Sequence, residues 1–216
     1  MTNETFSERV IQETVDSLNR NKFKAFYAEN RKEALRYVLE EIPLGATVGV
    51  GDSLTLKELG VFEELKRRGF TLFWPFDEDV AKEKRRDVMR KALLADVFLS
   101  GSNAITMDGK IVNVDATGNR VAGMVFGPRK AVIVVGANKI VKDLAEALER
   151  VRNVASPLNA KRIRKERDWE LLPCVTAGKC VNCSAENRIC NITAMIEKKP
   201  RAIEITVIIV GEKLGL

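Results

Sequence analysis

Cys174, Cys180, Cys183 and Cys190 are the only cysteines of the chain, and they follow 173 residues that contain none. Their spacing, C-x5-C-x2-C-x6-C, lets two sulfurs of one turn reach the same ion while the outer pair completes a four-sulfur shell. Gly178, Asn182 and Asn187 supply residues suited to the tight turns that such a site needs. The chain has no histidine, so the expected ligands are the four thiolates, holding either an iron-sulfur cluster or zinc. The spacing is neither the bacterial ferredoxin run nor a paired C-x2-C zinc ribbon, and both metals stay open. Disulfides, thiol redox chemistry and buried inert thiols are the other readings. The polar start MTNETFSERV has no apolar signal core, which points to a reducing cytoplasm and away from disulfides. The glycosylation pattern Asn191-Ile192-Thr193 then carries no meaning.

A second kind of chemistry, oxyanion binding, is written in three loops. The first is Gly49-Val50-Gly51-Asp52-Ser53-Leu54-Thr55. Gly49 and Gly51 permit close backbone approach, the Ser53 and Thr55 hydroxyls can bind a phosphate or carboxylate, and a helix starting near Ser53 aims free amides at the loop. Its plainer reading is a strand-to-helix turn capped by Asp52 or Ser53. The second runs from Asp115 to Gly123, where Gly118, Asn119 and Arg120 stand together. Arg120 suits a bidentate contact with an anion, or it braces the turn by pairing with Asp115. The third is Gly136-Ala137-Asn138-Lys139, with Lys139 either a substrate cation or a surface residue at a helix start. All three are expected at the carboxyl ends of strands, where open α/β sheets bind ligands. Asp52, Asp115 and Lys139 are the candidate catalytic groups.

The elements that must position these loops follow from periodicity. Phe6, Val10, Ile11, Val15 and Leu18 keep helical spacing to about Asn21, and a short apolar stretch covers residues 23–27. Ala34, Leu35, Val38, Leu39 and Ile42 form a second helical pattern closed by Pro43 and Gly45. Strands are expected at residues 46–50, 70–74 and 97–100, and helices at 54–68 and 79–94. This alternation predicts a mainly parallel sheet flanked by helices. Asp108-Gly109, between residues 104–106 and 111–114, is a hairpin turn and predicts an antiparallel excursion. Residues 131–135 form a buried strand, 142–152 a helix with i,i+4 pairs Lys142/Glu146 and Glu146/Arg150, and 203–210 the last strand. The division expected is an α/β domain over residues 1–160, a basic linker and cysteine segment over 161–199, and a returning strand over 200–216.

Size and charge narrow the partners. A chain of 216 residues buries a core without staples. The longest apolar run, near Ile203, falls well short of the roughly 20 residues needed to span a bilayer. The 36 basic residues are interleaved with 30 acidic ones for a net charge of +6, a solvated surface in the main. The densest basic run, residues 161–167 beside Trp169, reads as a charged linker or helix, and nucleic acid is not an expected partner.

The elements Val48-Gly49-Val50-Gly51-Asp52-Ser53-Leu54-Thr55-Leu56-Lys57-Glu58-Leu59-Gly60, Gly118-Asn119-Arg120-Val121-Ala122 and Val134-Val135-Gly136-Ala137-Asn138-Lys139-Ile140-Val141 resemble the LUD domain, named for lactate utilisation. The resemblance covers residues 5–160, and the cysteine segment looks like a tail found in one branch of that family. It implies a fold similar to ribose-5-phosphate isomerase and the CoA transferases, and a part in oxidising lactate to pyruvate. The family's longer partner carries ferredoxin-type clusters, whose motif is absent here, as is a recognisable CoA-transferase glutamate. The expectation is a cytoplasmic protein that binds a small anionic metabolite and a cysteine-ligated metal centre, with a redox protein as a possible partner. An isomerase or ligase acting on a sugar phosphate or CoA ester, with Asp52 or Asp115 as base, and a non-catalytic assembly or regulatory protein are the alternatives.

Overall fold

A computed structural model describes residues 7–167 and 170–216; Phe6 of the first helical pattern and Trp169 beside the basic run lie outside them. Six strands form one parallel sheet in the order β1-β10-β7-β4-β2-β3: β1 (Lys24–Ala28), β2 (Thr47–Val50), β3 (Thr71–Phe73), β4 (Val97–Gly101), β7 (Lys130–Gly136) and β10 (Glu204–Val210). The unbroken apolar runs of β7 and β10 follow from burial on both faces. Along β7, Ile133 and Val135 face one core while Val132 and Val134 face the other.

The first core lies under α1 (Glu8–Arg20), through Ile11, Val15 and Leu18. The second lies under α2 (Arg31–Glu40), α3 (Leu54–Leu59) and α4 (Val61–Arg67). The stretch at residues 23–27 is therefore an edge strand, too short in sequence to show a period. The helix expected over 54–68 is two helices, because Gly60 sits at φ +74° and ends α3 in a left-handed cap. The helix expected over 79–94 shortens to a 3-10 turn at Lys82–Lys84 and α5 (Arg85–Ala92).

The Asp108-Gly109 hairpin forms as read, between β5 (Ala104–Thr106) and β6 (Ile111–Asp115). It is the middle of a second, four-stranded sheet completed by β8 (Ile140–Val141) and β9 (Ile192–Ile196). β9 pairs antiparallel to β6, which places the end of the cysteine segment on this sheet. α7 (Leu144–Arg150) covers its outer face through Ala147, then passes through a π-helical turn, Val151–Ala155, into α8 (Ser156–Arg167). The pairing read for Glu146 and Arg150 does not form. Glu146 instead accepts from the Lys142 amide, and Arg150 turns inward to the carbonyls of Asn103, 2.6 Å, and Asn138, 3.4 Å. Between α8 and β9 lie a short helix, α9 (Pro173–Ala177), and the turns that carry the cysteines.

Candidate functional site

β7, β4 and β2 are neighbours, so the loops leaving their carboxyl ends converge. They meet at a small cavity of about 40 Å³ lined by Ser53 and Thr55 after β2, Ser102 and Asn103 after β4, Lys139 after β7, and Arg120. Arg120 arrives from α6 (Asn119–Val125), which follows β6 of the smaller sheet rather than a strand of the parallel one. Of the residues singled out in the sequence, Asp52, Ser53, Thr55, Arg120 and Lys139 come together here.

The others have different surroundings. Gly49 packs against α5, where a Cβ would stand 2.3 Å from the Ala92 carbonyl oxygen. Gly51 makes room for Arg120, whose Cγ would be 2.9 Å from an added Cβ. Gly118 abuts Ile192 of β9, and Asn119 opens α6 without reaching the cavity. The Asp115 carboxylate accepts from the backbone amides of Arg120, 3.0 Å, and Val121, 3.1 Å. It braces the turn through the backbone, so the guanidinium is left to donate to Asn103 Oδ1 at 3.1 Å and to the Val114 carbonyl. The Ser53 hydroxyl caps α3 by accepting from the Leu56 amide. α3 has six residues, and its dipole adds little.

Lys139 is 4% exposed, and its Nζ bonds the Thr55 hydroxyl, itself 1% exposed, at 2.8 Å. Gly215 crosses above them, where a Cβ would meet Thr55 Oγ1 at 2.2 Å and Lys139 Nζ at 2.9 Å. Burial, then the charges of Arg150 and Arg120, pull the Lys139 pKa down to about 7 against the opposing influence of Glu58. Desolvation also lowers the pKa values of Arg120 and Arg150. Among the described residues, none of these three cations forms an ion pair.

Asp52 has a different part. Its carboxylate accepts from Arg162 at 2.8 Å and Arg167 at 2.7 Å, both on α8. Burial pushes its pKa up, but the two guanidiniums more than offset this and hold it below the ordinary carboxylate range. A carboxylate so held is a poor base near neutrality and a good clasp between the β2 loop and α8. Arg167 also stacks on Phe76, 3.5 Å from the ring centroid. The basic run thus folds inward in part. Asp52→Asn leaves two partly buried guanidiniums facing each other and is expected to cost about 3 kcal/mol. Thermal unfolding near pH 7 should show a melting temperature lower by about 6–12 °C; an unchanged value would remove the clasp. The contribution is present above the unfolded pKa and is lost as pH falls through the depressed folded one.

Sequence reading missed Ser102, Asn103, Arg150 and Arg162. A turn-forming Gly101-Ser102-Asn103 directly after a strand was a usable signal for the first two; the arginines sit on helices whose inward face depends on packing.

All four thiols are free and half-buried. Burial raises the Cys174 pKa, and the charges of Cys183, Cys190 and Cys180 raise it further. Arg188 gathers the segment, donating to the Cys183 carbonyl at 2.7 Å and to Cys190 Sγ at 3.2 Å. Among the described residues, no three Cys, Asp or Glu side chains are spaced to hold one metal ion. The donor set, four thiols from one short segment, fits a soft or borderline metal by its chemistry. Cys180 and Cys190 also line a cleft of about 330 Å³ with Arg152, Asn153 and Arg188. No helix of the described residues is long and apolar enough to cross a membrane.

Comparison with known proteins bears on the fold and the family. A profile of the LUD domain matches residues 11–210, a span that takes in the cysteine segment and β10. A DUF162 family protein from Deinococcus radiodurans superposes with a TM-score of 0.53 at 14% identity, over 94% of this chain and 96% of that one. At that identity the likeness concerns the fold alone. eIF2B delta from Chaetomium thermophilum aligns over 63% of this chain and 50% of its own, with 16% identity and a TM-score of 0.31. No curated protein matches.

Proposed function

The chain belongs to the LUD domain family, and from that premise we propose that it binds a small anionic metabolite in the cavity between the β2 loop, Arg120 and Lys139. One observation carries the reading: Lys139 and Arg120 line a polar space, Arg150 donates to the carbonyl of the lining residue Asn103, and none of the three has an ion pair among the described residues. Gathering cations away from water costs free energy, and an incoming carboxylate or phosphate offsets that cost. Donors remain for it. A lysine ammonium has three and a guanidinium five, of which Lys139 uses one and Arg120 two here.

In the same reading, Cys174, Cys180, Cys183 and Cys190 would hold an iron-sulfur cluster or zinc. An iron-sulfur cluster supplies one-electron transfer, whereas zinc supplies a structural clamp. The chain's own contribution is one short segment that carries all four thiols, with Arg188 bonded to Cys190. The family assignment supports a role in the oxidation of lactate or a related organic acid, with a redox protein as the partner of this reading. Asp52 as the base of an isomerase is less favoured, because two guanidiniums lower its basicity and occupy its carboxylate.

Titration calorimetry with inorganic phosphate and with glycolate tests the cavity. Arg120→Ala is expected to weaken binding by about 10–100-fold, the worth of a hydrogen bond to a charged group. Unaltered affinity in both Arg120→Ala and Lys139→Ala would refute the pocket. The pH dependence has a definite sign. A bound anion raises the pKa of Lys139 above its free value of about 7, so binding takes up a proton. Affinity should be highest below pH 7 and fall about tenfold per unit as pH rises from there toward the raised value.

A further inference from the structure

We propose that Lys139 captures a small 2-oxo acid covalently, its Nζ condensing with the carbonyl while Arg120 holds the carboxylate; this rests on the anion-pocket reading and extends it. An amine becomes a nucleophile when it is unprotonated, and proteins achieve that by desolvating a lysine beside other cations. Both conditions are met. Lys139 is buried, Gly215 crosses over its Nζ, and Arg150 and Arg120 act on it electrostatically. A lysine placed only to bind anions gains nothing from losing its charge near pH 7.

The surroundings supply the remaining parts. Arg120 is the group within the cavity best shaped for a carboxylate, with Asn103 orienting it at 3.1 Å. The Thr55 hydroxyl, 2.8 Å from Nζ, is placed to pass a proton. Nζ adds to the carbonyl carbon, and one of its protons moves to the carbonyl oxygen, giving a carbinolamine. The C–O bond then breaks, the second N–H proton and the hydroxyl leave together as water, and a C=N bond remains. No oxidant or reductant is consumed. The cavity is small, about 40 Å³, which favours a short 2-oxo acid over a sugar phosphate or a nucleotide.

The test uses the full-length protein with glyoxylate, followed by borohydride reduction and peptide mapping by mass spectrometry. Glycolate, which has the carboxylate and no carbonyl, is titrated in parallel. The expected result is a reduced adduct on Lys139 in large excess over the exposed Lys142. Glycolate should protect against it, and the yield should fall by about tenfold or more in Arg120→Ala, in line with loss of a charged hydrogen bond. Mapping the wild-type protein keeps the test independent of whether Lys139→Met folds. Binding of glycolate without an adduct on Lys139 would overturn covalent capture and leave the anion pocket standing. Binding of neither compound would overturn both.

Discussion

Lys139→Met should melt at a higher temperature than the wild-type protein at pH 7, by about 6–12 °C. A lysine whose pKa drops from its ordinary value of 10.5 to about 7 on folding costs the native state up to about 5 kcal/mol when both states are protonated, at 1.36 kcal/mol per unit. Methionine removes that cost. It forfeits the bond to Thr55, worth about 1 kcal/mol, and fits the cavity imperfectly for about another, leaving roughly 3 kcal/mol of net gain. For a chain of this size each kcal/mol moves the midpoint by about 2–4 °C. The pH dependence separates this cause from general repacking. Between pH 7 and about 10.5 the unfolded chain binds a proton that the folded one does not, so wild-type stability rises with pH in that window. The advantage of the variant should therefore shrink and vanish by about pH 10. A variant no more stable at pH 7, or an advantage that persists at high pH, would show that Lys139 carries no desolvation cost. Stability gained with ligand binding lost is the pattern of a residue kept for function.

Cys183→Ser should abolish metal binding. Protein purified without oxygen is expected to contain either stoichiometric iron with charge-transfer absorption in the visible or one zinc with none. Cys183 belongs to the two-residue C-x2-C turn that sets the bite of the site. Losing it should weaken the metal by well over about 100-fold, since even outer-shell partners are worth about 10–100-fold. The Arg188 bond in this turn goes to the Cys183 carbonyl and survives the substitution, so a loss of metal reports the thiolate. Iron that disappears with the absorption assigns a redox role; zinc that disappears, with a lower melting temperature, assigns a clamp. Wild-type protein with neither metal would sink the cysteine site.

Much of the fold was legible in the sequence because parallel sheets buried on both faces write unbroken apolar runs, as in β7 and β10, and helices that cover them write a 3.6-residue period, as in α1 and α2. The Asp108-Gly109 hairpin was equally plain, since a short hairpin loop needs a left-handed residue and Gly109, at φ +83°, supplies it. Two strands were not assigned: β1, read only as a short apolar stretch, and β9 take their conformation from partners far away in the chain, β10 and β6.

For the site, the sequence by itself determined the inventory: four thiols in one segment, a glycine loop with Ser53 and Thr55, Arg120, and Lys139. The tertiary structure alone decided their roles. Asp52 and Asp115 look equivalent as acidic loop residues, yet one is clasped by two arginines of α8 and the other holds backbone amides of α6. Arg150 looked like half of a surface ion pair and instead turns toward Asn103. Burial, proximity of like charges and the lowered pKa of Lys139 arise from residues as distant as Thr55, Arg120, Arg150 and Gly215. Desolvation and Coulomb interactions depend on distance in space, and no local pattern of residue types encodes that distance.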